Sequence, residues 1–80
     1  MELDAKRLGI AGGLVWGIAM FVTVILSMLF GIGVNLVFVF SDLYIGLDIS
    51  FIGAILGFIY GFIDGFIALF LTAWIYNKLA

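Results

Sequence analysis

The sequence predicts an all-α membrane protein: a two-transmembrane-helix antiparallel hairpin with a short external interfacial loop. Three observations lead there. The 80 residues are 68% hydrophobic and only 10% charged, with a mean hydropathy of +1.47, outside the range of soluble domains. No residue from Leu8 to Ser41 carries a charge, and from Ile49 to Asn77 the one that does is Asp64. Each run exceeds the ~20 apolar residues that a helix needs to cross about 30 Å of hydrocarbon.

The first helix is expected over residues 7–33. Lys6 and Arg7 ahead of an apolar run have the outline of a secretory signal, but this run is much longer than the ~7–15 residues of a signal core, so a retained span is expected. As one helix, the uncharged stretch from Leu8 to Ser41 would extend roughly 51 Å, too far for a simple crossing. Gly31, Gly33 and Asn35 mark the break, because glycine lowers helix stability and asparagine favours turns.

Residues 34–49 form the expected loop, which leaves the bilayer or lies along its outer surface. Ser50 or Asp48 caps a second helix over 50–77, whose positive amino end favours a nearby carboxylate. Trp74 and Tyr76 beside Lys78 suit an interfacial aromatic belt, and Tyr44 marks the outer interface. Lys6 and Arg7 precede the first span and Lys78 follows the second, whereas the loop carries Asp42 and Asp48. The positive-inside bias therefore predicts both termini in the cytoplasm.

Composition excludes several function classes. The chain has no cysteine, histidine or proline, which removes disulfides, thiolate or imidazole metal sites and histidine acid–base catalysis. It is expected not to be an enzyme and to hold no cofactor or metal. A net charge of -2 with only three basic residues gives no basis for nucleic-acid binding.

Each predicted helix has a small or polar face and a bulky one. At about 100° per residue, Gly53, Gly57, Gly61, Gly65, Ala54, Ala68, Thr72, Tyr60 and Asp64 share one arc of the second helix. Phe51, Phe58, Phe62, Phe66 and Phe70 fall opposite. In the first helix Gly9, Gly13, Gly17, Trp16, Met20, Thr23 and Ser27 oppose Leu14, Ile18, Phe21, Val22, Ile25 and Leu29. In lipid the bulky side needs no protein partner, whereas glycine ridges let backbones approach, so the small faces are expected to pack.

Asp64 is the first functional candidate. A charge within a membrane span costs roughly 2.5–3.5 kcal/mol on insertion scales and faces a bundle interior, a partner or a water-filled path. Aligning Arg7 with Lys78 at the cytoplasmic side sets Asp64 level with Phe21 to Thr23. Thr23, Ser27, Tyr60 and Thr72 are then its candidate hydrogen-bond partners. Lys6, Arg7 and Lys78 lie roughly 20 Å away along the axis, so a neutral, hydrogen-bonding carboxylic acid is expected unless water or a cation reaches it. In the same alignment the two glycine ridges lie at different depths, which argues that at least one packs against another copy in a homo-oligomeric bundle or ring. Three uses of Asp64 follow: a carboxylate ring in a cation-favouring pore, a proton carrier, or neutral glue between helices.

GAILGFIYGFIDGFIALFLTAWIYNKL at 53–79, preceded by LGIAGGLVWGIA at 8–19, resembles a group of short two-span prokaryotic membrane proteins labelled bacteriophage holin-like. The match covers most of the chain and is strongest from Gly57 to Asn77. It implies a small protein of the prokaryotic cytoplasmic membrane that oligomerises and permeabilises or remodels the bilayer. A looser similarity is to the proton-carrying proteolipid subunit of rotary ATP synthases, also a hairpin with a carboxylate midway along its second helix. A structural accessory subunit of a larger membrane complex is the alternative from another class.

Overall fold

The computed structural model describes residues 2–80 as three helices: α1 (Ala5–Phe30), α2 (Val34–Leu43) and α3 (Phe51–Leu79). Helices α1 and α3 are long and apolar enough to cross a membrane. The first begins where Asp4 caps it, its side chain accepting the Arg7 backbone N–H at 3.1 Å, a contact of about 1 kcal/mol. It ends at Gly31, whose φ of +68° is a left-handed conformation that a Cβ would disfavour. Gly33, at φ +74°, turns the chain again into α2. Ser50 caps α3 by accepting the Gly53 N–H at 2.9 Å.

The turn at residues 31–33 reverses the chain. Gly33 lies near Thr23 and Ser27 of α1, Val37 is fully buried among Met20, Val24, Leu47 and Ala54, and Tyr44 reaches the middle of α3. Thus α2 runs back along α1, and Tyr44 just beyond its end reaches α3. Residues 44–50 then return along α3, with Gly46 near Leu56, Leu47 near Gly57 and the Asp48 carbonyl against Gly53. Segment 34–49, expected as an interfacial loop, is therefore a short helix and a return strap laid on the other two. The hydrophobic pattern of VNLVFVF explains the docking: one face offers Val37 and Phe40 to the core, while Asn35, Phe38, Val39 and Asp42 stay exposed.

Helices α1 and α3 pack antiparallel along their lengths. Gly9 lies under Phe66, Gly13 under Phe62 and Gly17 under Phe58, so the pairing runs in reverse order. Near the termini, the Leu3 N–H donates to Asn77 Oδ1 and the Asn77 amide donates to the Leu3 carbonyl, both at 2.8 Å. This register differs from the alignment expected from charge. Asp64 is level with Gly12 and Gly13 rather than with Phe21 to Thr23, a shift of roughly 15 Å. The reason is that exposed Lys and Arg stems adapt their reach, whereas glycine backbones in contact fix the axial position.

Candidate functional site

The glycines meet within the chain. A Cβ on Gly65 would lie 2.4 Å from the Gly12 carbonyl oxygen, one on Gly61 2.9 Å from Gly17 Cα, and one on Gly13 2.7 Å from the Phe62 carbonyl oxygen. Such separations leave no room for a methyl group. Gly9 and Gly17 take phenylalanine rings from α3, Gly53 takes the Asp48 carbonyl, and Gly57 faces Met20 and Leu47. The expectation that the two ridges lie at different depths is corrected by this register, which brings Gly12 and Gly17 against Gly65 and Gly61. The phenylalanines also differ from expectation: Phe58, Phe62 and Phe66 are half-buried over the α1 glycines. Together with Phe70 they form a stacked series with centroid spacings of 6.5, 6.3 and 5.6 Å.

Asp64 has a partner that sequence reasoning assigned elsewhere. The Tyr44 hydroxyl donates to Asp64 Oδ2. Its ring stacks on Tyr60 at 4.9 Å between centroids, and the Tyr60 hydroxyl donates to the Ile45 carbonyl at 2.7 Å. Tyr60 and Asp64 stand one turn apart on α3, so a single face of that helix holds both the ring platform and the acceptor. The hydrogen bond to Asp64, aided by burial and by the nearby negative charge, pushes the Tyr44 phenol up to about 12. It is therefore a donor throughout the physiological range.

The four expected hydroxyl partners point elsewhere. Thr23 and Thr72 each donate to the carbonyl one turn back, Ala19 and Ala68, at 2.7 Å. Ser27 donates to the Ile32 carbonyl at 2.6 Å and so braces the end of α1. Tyr60 bonds Ile45, which holds the strap rather than the acid. Only Tyr60 among the four lies beside Asp64, through the Tyr44 ring between them. A signal for Tyr44 was present in the sequence as the lone tyrosine of an acidic connection, but its distance of twenty residues from Asp64 hid the pairing.

Beyond Tyr44 the surface opens into a groove of about 680 Å³. Helix α1 contributes Leu8, Gly12, Val15 and Trp16, and α3 contributes Asp64, Gly65 and Leu69. Tyr44 is the single lining residue from the connecting segment, so the strap covers one stretch of this side and stops at the acid. Elsewhere on α3, Ile55, Ile59, Ile63, Ile67 and Leu71 form an exposed apolar stripe at four-residue spacing. No group of His, Cys, Asp or Glu able to hold a metal ion occurs among the described residues. Compared with protein-family models, curated proteins and solved structures, the chain finds no match.

Proposed function

We propose that the chain is an integral membrane hairpin of the prokaryotic cytoplasmic membrane, with both termini cytoplasmic. In this reading it forms a homo-oligomer that permeabilises the bilayer in the manner implied by its holin-like resemblance. The observation that carries the reading is the placement of polar groups on the folded-back segment. Asn35 and Asp42 are exposed on α2, which runs along α1 in a molecule whose long helices expose apolar surface. Polar side chains and irregular backbone at membrane depth are tolerated where they meet protein or line a water-filled cavity. An assembly that turns α2 inward satisfies this demand and sets one Asp42 per copy around a common interior, an arrangement that favours cations. The exposed isoleucine stripe of α3 faces lipid.

Purified protein in planar bilayers is expected to give discrete, cation-favouring conductance, with selectivity reduced by Asp42→Asn. Silent bilayers at high protein density overturn the proposal. One observation favours a second reading, an accessory subunit of a larger membrane complex: the glycine ridges are occupied within the chain, leaving no small-residue ridge for self-association. That reading predicts a fixed stoichiometric partner on mild-detergent purification and no intrinsic conductance. Native mass measurement of the solubilised particle separates the two.

A further inference from the structure

The groove beside Asp64 combines three properties that together define a ligand class. Its walls are aliphatic or small, from Leu8, Gly12 and Val15 on one side to Gly65 and Leu69 on the other. Its volume of about 680 Å³ falls in the ~300–1,000 Å³ range of small-molecule sites. Its lining holds a single carboxylate, Asp64, bonded by the Tyr44 hydroxyl, together with Trp16. No basic side chain neutralises that acid, since the ion pair among the described residues is Arg7 with Asp4, at the start of α1. Asp64 Oδ2 accepts from Tyr44, and Oδ1 accepts from no described residue.

We propose that this groove binds a lipophilic organic cation, such as a quaternary ammonium or phosphonium with aromatic or alkyl substituents. Asp64 supplies the counter-charge, and the aromatic side chains of Trp16 and Tyr44 line the same groove, where a cation gains from aromatic contact. Chemistry excludes the neighbouring classes. A hard metal ion needs about six oxygen ligands, and this groove offers one carboxyl and one phenol. An anionic ligand meets a fixed acid without a compensating base. A plain acyl chain fits the walls but brings nothing to Asp64 Oδ1, which accepts from no described residue, and an unmet carboxylate oxygen in an apolar setting is costly. A hydrophobic body carrying a diffuse positive charge meets every demand, because its weak hydration makes transfer into the groove inexpensive relative to a small ammonium. The inference concerns one chain and holds whether or not copies assemble into a pore.

Titration of tetraphenylphosphonium into the full chain in maltoside micelles tests it, with intrinsic tryptophan fluorescence and equilibrium dialysis as readouts. Saturable binding of one cation per chain is expected, at least tenfold weakened by Asp64→Asn and abolished by Ala68→Trp, which fills the groove while keeping the acid. Neutral tetraphenylmethane is expected not to compete. Absence of saturable binding, equal binding by Asp64→Asn, equal binding by Ala68→Trp, or competition by the neutral analogue at similar concentration each overturns the proposal. Circular dichroism of both variants confirms that the helices are intact. Because binding is read in micelles, its failure is distinct from a failure of conductance in bilayers.

Discussion

Tyr44 holds the connecting strap by two different interactions, a hydroxyl donated to Asp64 and a ring laid on Tyr60. Tyr44→Phe separates them, since the stack survives and the donor is lost. Removing one partner of a half-buried hydrogen bond costs about 1 kcal/mol, so exchange of the Leu47 amide, which bonds the Tyr44 carbonyl, is expected to accelerate several-fold while that of Ala54 in α3 is unchanged. The pH sign follows from the raised phenol. Its folded value of about 12 exceeds the ordinary ~10, so the contribution is complete below pH ~10 and fades as pH rises toward 12. An ultraviolet phenolate titration is expected to show one late-ionising tyrosine that vanishes in Tyr44→Phe. The acid of this pair was legible in the sequence because a lone charge in an apolar run is conspicuous. The phenol was not, because hydrophobic periodicity describes which face of a segment is apolar and is silent on whether that segment folds back.

Helix α3 meets α1 through glycines of unequal tolerance. At Gly65 a methyl group collides with the backbone carbonyl of Gly12, whereas at Gly57 the nearest atoms, on Leu47 and Met20, stand 3.6–3.7 Å away. Gly65→Ala is therefore expected to destabilise the helix pair by about 1–3 kcal/mol through overpacking. Gly57→Ala is expected to be neutral or to stabilise by up to ~1 kcal/mol through helix propensity. Thermal unfolding in micelles followed by circular dichroism ranks the two. At the bend, Gly33→Ala places a Cβ on a left-handed residue and is expected to cost about 1–2 kcal/mol, read as loosened packing of Val37. The existence of both long helices and their small faces followed directly from composition and spacing. Their axial register did not, because glycines repeating every four residues allow slips of about 6 Å per step that preserve the same pattern. The terminal charges, exposed and flexible, do not resolve that degeneracy, and the Gly12–Gly65 contact does.

The molecule as a whole measures 45 × 19 × 17 Å, a rod whose length exceeds the ~30 Å hydrocarbon thickness and whose two sides differ in chemistry. One side carries α2, the tyrosines and the acid; another carries the isoleucine stripe. The chain lacks cysteine, so single substitutions report cleanly on this asymmetry. Under the proposed membrane placement, Asp42→Cys is expected to react with a membrane-impermeant maleimide added outside, while Ile59→Cys, Ile63→Cys and Ile67→Cys resist it. Equal resistance at all four positions counts against a hydrated path beside α2. The core that buries Val37 is built from Met20 and Val24 before it in the chain and Leu47 and Ala54 after it. That composite seat makes the docking of α2 a two-stage event in biogenesis. When the second helix leaves the ribosome only Met20 and Val24 of α1 are there to receive Val37, so its seat is complete only once Leu47 and Ala54 have followed. A chain halted before Ala54 would therefore carry α2 seated on α1 alone, and a crosslink between positions 37 and 54 would time the completion of the core.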